Sequence, residues 1–286
     1  MANLTWTTPS GQTTVLSNHI LKQAHTLIAG TTGSGKSVMV SNLIRAIMFR
    51  FPQNMPGGAE LILIDPKRVE LAQYKPLPHT FLYASEPEEM FLALQGALTL
   101  VELRFKDMQA RGERLYTGSD VYIIIDELAD LLTTDKKRIL PILQRIGQIG
   151  RAARVHLICC TQCPTAQILS TQLKVNFDSI LALRTRSAQD SRNIIGISGA
   201  EKLPKYGKGI YQSPEEMHPW EVSIPLYDDI PGLIEWWLAQ VREHESHKLT
   251  SFYNNNIQPV KRNIREALFK VAGFAVAGLV IFEALF

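Results

Sequence analysis

The sequence predicts an α/β fold in which a mainly parallel central sheet is flanked by helices. Three observations carry that expectation. From His25 onward, short apolar runs alternate with longer helical stretches, the pattern of parallel strands joined by crossover helices. Val121 to Ile125 is an unbroken run of β-branched and aromatic residues, as in a strand covered on both faces. Residues 86–112 place Phe91, Leu94, Leu98, Val101, Phe105 and Met108 at spacings of three and four, which marks a long amphipathic helix.

Taken in order, residues 1–24 are polar and turn-rich around Pro9-Ser10-Gly11 and read as a segment wrapping the edge of the domain that begins at His25. Thr26 to Ala29 reads as a strand and Val38 to Arg50 as a helix; Leu61 to Ile64 is a second strand, ending at Asp65. After the helix at 86–112 and the central strand at 121–125 come strands at Val155 to Cys160 and Ser179 to Leu183. A closing helix is expected over 230–245, opened by Asp229 and Pro231 and carrying Trp236 and Trp237. Residues 25–247 thus form one domain. Residues 248–266, with Asn254-Asn255-Asn256 and Pro259, read as a polar, basic linker, and 267–286 as a hydrophobic helix. No internal repeat is visible.

Composition excludes little. The chain has 286 residues, 45% apolar and 20% charged, an ordinary globular mix able to bury a core. A formal charge of +3 is too small to argue for nucleic acid, so any such case rests on where the basic residues sit. The three cysteines, Cys159, Cys160 and Cys163, are crowded together; that is no disulfide framework, and a reducing cytoplasm is expected. Cys160 and Cys163 form a lone C-x-x-C without a second ligand pair, and His156 opens an apolar run, so buried thiols are expected rather than a metal centre. The amino terminus lacks a basic region followed by an apolar run, and no signal peptide is expected.

The chemistry is concentrated at two motifs. Residues 30–37, GTTGSGKS, match G-x-x-x-x-G-K-[ST] in full, directly after one strand and before one helix. Backbone N–H groups of Gly30, Thr31, Thr32, Gly33, Ser34 and Gly35 would turn inward around phosphate oxygens, at the positive end of the following helix. Lys36 would reach the β- and γ-phosphates of ATP, and the Ser37 hydroxyl would ligate Mg²⁺. The second motif is the strand 123–125 delivering Asp126 and Glu127. Asp126 would hold Mg²⁺ through water, and Glu127 stands where a base polarises the attacking water. Adjacent acids at that point suggest hydrolysis rather than binding alone.

The flanking residues narrow the field. Residues 29–38 (AGTTGSGKSV), 64–67 (IDPK) with 69–71 and Tyr74, 126–131 (DELADL), 150–156 (GRAARVH), Thr161-Gln162 with Pro164, and 190–192 (DSR) resemble, in that order, the motor core of the FtsK/SpoIIIE DNA translocases. The resemblance spans roughly 20–240 and implies a RecA-like P-loop NTPase. It implies a ring, a homohexamer on double-stranded DNA, with nucleotide held between neighbouring copies. Carried over, Arg151 matches the family's arginine finger, although Arg154 stands close enough to leave the assignment open between them. Gln162 falls where such ATPases keep a polar sensor beside the acidic strand. Thr161 and Arg192, with Arg184 and Arg186, fall at the DNA-facing positions; contacts from Arg and Thr to backbone phosphates are sequence-neutral. Two departures lower the positive charge there: Cys163 and Ala188 stand where the family commonly has basic residues. Asp65 and Lys67 form a family motif that reads equally as a structural turn or a catalytic element.

The resemblance does not extend to an amino-terminal membrane region or a carboxyl-terminal winged helix, and a small motor of a phage or conjugative element is expected. Residues 271–282 carry no charge, and Ala267 to Phe286 just reaches the ~20 apolar residues of a spanning helix, behind Lys261, Arg262, Arg265 and Lys270. The same segment also suits a helix packed on the domain. The leading expectation is therefore a cytoplasmic ATPase that translocates duplex DNA, tethered to the inner face of the membrane by this helix. Genome packaging or extrusion by the same core, and a membrane-associated ATP switch that moves no DNA, are the alternatives. The tether predicts that carbonate extraction leaves the chain in the membrane pellet; complete release would remove it.

Overall fold

The computed structural model describes residues 6–7, 13–50, 58–165 and 167–226, with 232, 234 and 235. Most of the expected closing helix, the linker 248–266 and the hydrophobic segment 267–286 lie outside the described residues. A short antiparallel ribbon pairs Trp6–Thr7 (β1) with Thr13–Thr14 (β2), ahead of a helical turn at Leu16–Ile20 (α1). The expected elements His25–Ala29 (β3), Lys36–Arg50 (α2), Ala59–Ile64 (β4), Pro87–Arg111 (α3), Asp120–Ile125 (β6) and Val155–Thr161 (β7) follow, with a strand Thr80–Ala84 (β5) before α3 and a helix Leu128–Ile149 (α4) after β6 that were not expected. Thr171–Lys174 (α5), Ser179–Ala182 (β8), Ala188–Ile195 (α6) and the strands Lys208–Gln212 (β9) and Trp220–Ser223 (β10) complete it.

The main sheet runs β10-β9-β8-β3-β7-β6-β4-β5. From β8 to β5 every pairing is parallel, while β9 and β10 add an antiparallel hairpin at one edge. The α/β class with a mainly parallel sheet is therefore found. The hairpin was not expected, because KGIYQ and WEVS are short, polar-interrupted runs suited to an edge.

Strand parity sorts the core into two layers. Leu27, Ala29, Ile123, Ile125, Leu157 and Cys159 point toward α3 and α4. Ile28, Tyr122, Ile124, Ile158 and Cys160 point the other way, toward α1 and α2. That double burial is why the strands read as continuous apolar runs rather than alternating ones. Helix α3 starts on a capping box between Glu86 and Glu89 with Pro87 in its first turn, and ends at Gly112 in the left-handed region. Helix α4 breaks at Asp135 (φ −155°, ψ 75°), whose Oδ1 accepts from the Arg138 N–H (3.1 Å) and starts the second segment. No helix among the described residues is long and apolar enough to cross a membrane.

One buried base ties β3 to β7. His25 Nδ1 accepts from the Leu157 N–H (3.0 Å), while its Nε2 is buried without a hydrogen-bond partner among the described residues. Burial, then the nearby His156 and Arg151, lowers His25 from 6.5 to about 3. The unfolded chain takes up this proton near 6.5 and the folded one only near 3, so stability falls as pH falls through that window. At pH 5 the loss is about 2 kcal/mol. Urea midpoints at pH 7 and 5 check this: His25→Asn, which keeps an acceptor for Leu157, should start less stable at pH 7 and lose much less between the two.

Candidate active site

The loop after β3 is slung between the ends of its two neighbours. Gly30 N–H donates to the Thr161 carbonyl (3.2 Å) at the end of β7, and Thr31 N–H to the Arg184 carbonyl (2.9 Å) just after β8. At Gly30 a Cβ would lie 2.7 Å from Leu183 Cβ and 2.8 Å from Ser34 Oγ, so only glycine fits. Gly35, at φ +101°, turns the chain into α2 through a conformation closed to other residues. Lys36 is 8% exposed. Its ammonium rests on the loop itself, donating to the carbonyls of Gly30 (2.6 Å) and Thr31 (2.9 Å), and burial holds it below the ordinary lysine range. Ser37 is half-buried in the first turn of α2, and the Ser34 hydroxyl is buried without a hydrogen-bond partner among the described residues. The N–H groups of Gly30 and Thr31, and that of Ser34 on the Thr31 carbonyl (3.1 Å), are thus taken by carbonyls rather than turned to phosphate as expected; the buried lysine and the α2 amino terminus still converge there, which fits a polyphosphate.

The acids leave adjacent strands side by side. Ile64 of β4 pairs with Ile125 of β6, so Asp65 and Asp126 emerge together. Burial, then Asp65 and Glu70, pushes Asp126 up to about 7. Asp65 Oδ2 accepts from the Leu71 N–H (3.0 Å) and the Tyr83 hydroxyl (3.3 Å), and its Oδ1 is buried without a hydrogen-bond partner among the described residues. Such a concentration of carboxyl groups fits a divalent cation at Asp126 and Ser37. Among the described residues no cluster of His, Cys, Asp and Glu could hold a metal alone, so that cation would need phosphate oxygens as further ligands.

Glu127 is 2% exposed and held on every side. Its Oε1 accepts from the Thr161 hydroxyl (2.8 Å), the Ala129 N–H (3.2 Å) and the Gln162 N–H (3.2 Å). Its Oε2 accepts from Gln162 N–H (3.1 Å) and from Lys67 Nζ (3.3 Å), which also lies 3.6 Å from Asp130. Partial burial opposes the Lys67 charge, but Glu127 and Asp130 outweigh it and hold the ammonium above the ordinary lysine range. The 65–67 motif thus divides: Asp65 organises the turn to Leu71, and Lys67 enters the site.

The expected sensor and DNA residues separate. Gln162 sits between the loop and the acids, its backbone on Glu127 and its side-chain Oε1 accepting from Thr32 Oγ1 (2.7 Å). Thr161, expected to face DNA, is fully buried and its hydroxyl is committed to Glu127, so that expectation is corrected. Arg184 and Arg186 have exposed side chains beside the phosphate loop; Arg186 lines one small cavity with Gly30, Thr31, Gln162 and Asp190. Arg192 is exposed in the last turn of α6, with a contact to Gln189 (3.4 Å). The cysteines divide as well: Cys159 and Cys160 are buried with both thiols pushed well up by burial, whereas Cys163 is exposed, contrary to expectation. Lys205 was missed entirely; its Cε would lie 3.7 Å from a Cβ at Gly33, and no sequence spacing links the two.

Arg151 and Arg154 differ sharply. Arg154 donates from Nε (2.9 Å) and Nη2 (2.5 Å) to the two oxygens of Asp120. Arg151 is exposed. Both precede β7, whereas the phosphate loop lies beyond its other end, roughly 20 Å away along six residue steps. Neither guanidinium can reach its own chain's loop.

The FtsK/SpoIIIE family model matches residues 8–120 and 113–166. The DNA translocase FtsK of Streptococcus pyogenes serotype M3 is 33% identical across 93% of this chain and 34% of its own length. That of Lactococcus lactis subsp. cremoris is 33% identical across 73% of this chain and 30% of its own. The chain thus spans about a third of these relatives. Among solved structures, the pCW3 conjugation coupling protein TcpA with ATPγS aligns at a TM-score of 0.67, with 21% identity, over 82% of this chain and 69% of its own. The cytoplasmic domain of the Thermomonospora curvata type VII secretion ATPase EccC aligns at 0.61, with 22% identity, over 78% and 28%. These two support the P-loop ATPase fold.

The grip on Glu127 is testable apart from nucleotide binding. Thr161→Val keeps the shape of the strand end but removes a hydrogen bond to a buried carboxylate, worth about 1.5–3 kcal/mol. ATP turnover should fall at least about tenfold while ATP affinity, read by a fluorescent analogue, stays within about twofold.

Proposed function

The chain belongs to the FtsK/SpoIIIE family of P-loop ATPases, and on that premise we propose that it is a motor subunit that translocates double-stranded DNA through a ring of identical copies. One observation supports this most: a site whose acids and loop are complete in one chain, with an exposed arginine stranded at the opposite edge. A ring of copies in head-to-tail contact would bring that arginine to a neighbour's nucleotide.

In this reading the phosphates of ATP draw Lys36 off the carbonyls of Gly30 and Thr31. Glu127 is the base that orients the attacking water. Its Oε1 accepts three hydrogen bonds and Oε2 two, from Lys67 and the shared Gln162 N–H, so Oε2 is the less loaded oxygen and the one a water would meet on displacing Lys67. Gln162 couples the two halves, holding the base through its backbone and the loop through Thr32. Mg²⁺, bound by Ser37 and Asp126 together with the nucleotide, would neutralise phosphate charge. Arg151 from the neighbour stabilises charge late in the reaction, and rates then depend on how copies are placed. Six copies match the family expectation.

Arg192, with Arg184 and Arg186, remains the proposed DNA-facing set. Arg184 and Arg186 stand beside the phosphate loop, so movement of DNA against them would be felt at the nucleotide. DNA transfer by a phage or conjugative element is the proposed setting, with the segment 267–286 as a tether to the inner membrane face. The packaging or extrusion alternative uses the same chemistry. The ATP-switch alternative draws on the missing cations at Cys163 and Ala188.

ATP turnover with and without linear duplex, beside Lys36→Ala and Glu127→Gln, separates these. The motor predicts strong stimulation by duplex of any sequence, abolished in both variants and weakened severalfold in Arg192→Ala. It also predicts displacement of streptavidin from a biotinylated duplex end. Turnover indifferent to DNA, with the block left in place, would sink the motor and favour the switch.

A further inference from the structure

The turn that carries Arg151 is held more firmly than an exposed turn requires. All five carbonyls from Gly150 to Arg154 accept a hydrogen bond. Gly150 O takes the Val155 N–H (3.0 Å), Arg151 O the Arg154 N–H (3.2 Å) and Ala152 O the Tyr116 N–H (2.9 Å). Ala153 O takes Arg104 Nη1 (2.7 Å), and Arg154 O takes both Arg104 Nη1 (3.3 Å) and the Val121 N–H (2.9 Å). Arg104 reaches there from α3, only 3% exposed, with its guanidinium 4.3 Å from the centre of the Tyr116 ring.

The backbone is strained to fit. Arg154 sits at φ 55°, in the left-handed region that side-chain-bearing residues rarely adopt. A Cβ on Gly150 would come within 2.5 Å of the Val155 carbonyl. Asp120 holds the strained residue by its two-pronged contact with Arg154 and is itself fixed by His156 Nε2 (2.8 Å). Burial opposes the Asp120 charge, but the bonds from His156 and Arg154 outweigh it and hold the carboxyl down to about 2. Of the residues in this frame, Arg151 alone has an exposed side chain.

We propose that Arg104, Asp120 and Arg154 are positioning residues that clamp the 150–154 turn so that Arg151 is presented, in one fixed place, to the nucleotide of a second copy of this chain. The proposal rests on the reading of Arg151 as acting across the interface. A long side chain on a mobile turn would spread its charge over several ångströms, and a misplacement of about 1 Å can cost a hundredfold in rate. Fixing all five carbonyls removes the backbone part of that spread. The clamp therefore serves the neighbour's reaction while leaving its own phosphate loop, beyond the far end of β7, untouched.

Mixed assemblies test this. Arg151→Ala chains keep an intact loop but supply no guanidinium; Glu127→Gln chains have an inert site but an intact turn. Each should be nearly inactive alone, and mixing them should restore ATP turnover. Arg154→Ala, or Asp120→Asn, is then added to one partner at a time. Placed on the Glu127→Gln partner, either should cut the restored rate about tenfold or more; placed on the Arg151→Ala partner, neither should change it. Arg154, partly exposed, is the safer variant, and thermal midpoints and ATP binding of each chain confirm folding. An equal loss from either partner would mean a general structural role and overturn the clamp, as would no loss at all. Failure of the parent pair to restore turnover would instead overturn the action of Arg151 in trans.

Discussion

A parallel sheet has two unlike edges, and that constraint organises everything else in this chain. Strands β3, β4, β6, β7 and β8 all run the same way, so every loop following them gathers at one edge. The phosphate loop, Asp65, Asp126, Glu127, Gln162 and Arg184 are consequences of that single fact. The loop after β3 lies between β7 and β8, on either side of which the chain order runs in different directions, the usual place for a ligand in such sheets. What precedes the strands collects at the opposite edge: Asp120, Ala24, His25 and the 150–154 turn. No side chain of ordinary length bridges the two, so chemistry that needs groups from both must use two copies.

Within the catalytic edge the controlling interaction is the grip on Glu127. A buried carboxylate without partners would take up a proton or destabilise the fold. Thr161, Gln162, Ala129 and Lys67 supply donors, and each comes from a different place: the end of β7, its following loop, the first turn of α4 and the exit of β4. Glu127 therefore reports the relative positions of three elements. Asp126, one residue earlier, has no such set of donors among the described residues and is pushed up by burial and by Asp65 and Glu70 instead. Neighbouring acids in opposite surroundings suit a division between a cation ligand and a base.

The sequence made the nucleotide half legible because its signals are local. G-x-x-x-x-G-K-S after a strand, and two acids after an apolar run, need no knowledge of distant residues. Where contacts run across strands, reading failed or stayed open. Thr161 resembles a DNA-facing position in linear order, but it continues β7 into the interior and meets Glu127, 34 residues earlier. Arg151 and Arg154 look interchangeable until Asp120 claims Arg154 across the same interval. The pair Asp65 and Lys67 could not be divided without the register of β4 against β6. Strands β9 and β10 escaped notice because edge strands carry mixed residues, and the continuous apolar signature belongs to strands buried on both sides.

The same geometry limits how a subunit can transmit motion. Strand β7 joins the Arg151 turn to the Thr161–Gln162 end that holds Glu127, and it is paired in unbroken register with β3 on one side and β6 on the other. A strand so bonded does not slide alone: moving it by one step would break both ladders and turn each buried side chain to the wrong face. The turn is further tied to α3 through Arg104 and to β6 through Asp120. A push on Arg151 is therefore shared by the whole sheet and its α3–α4 layer. Packed interiors of this kind respond as bodies rather than by continuous deformation. In the proposed ring, change during the ATP cycle would then appear as rotation of one copy against the next. The exposed arginines after β8 and on α6 would then be carried with the body rather than by flexing loops.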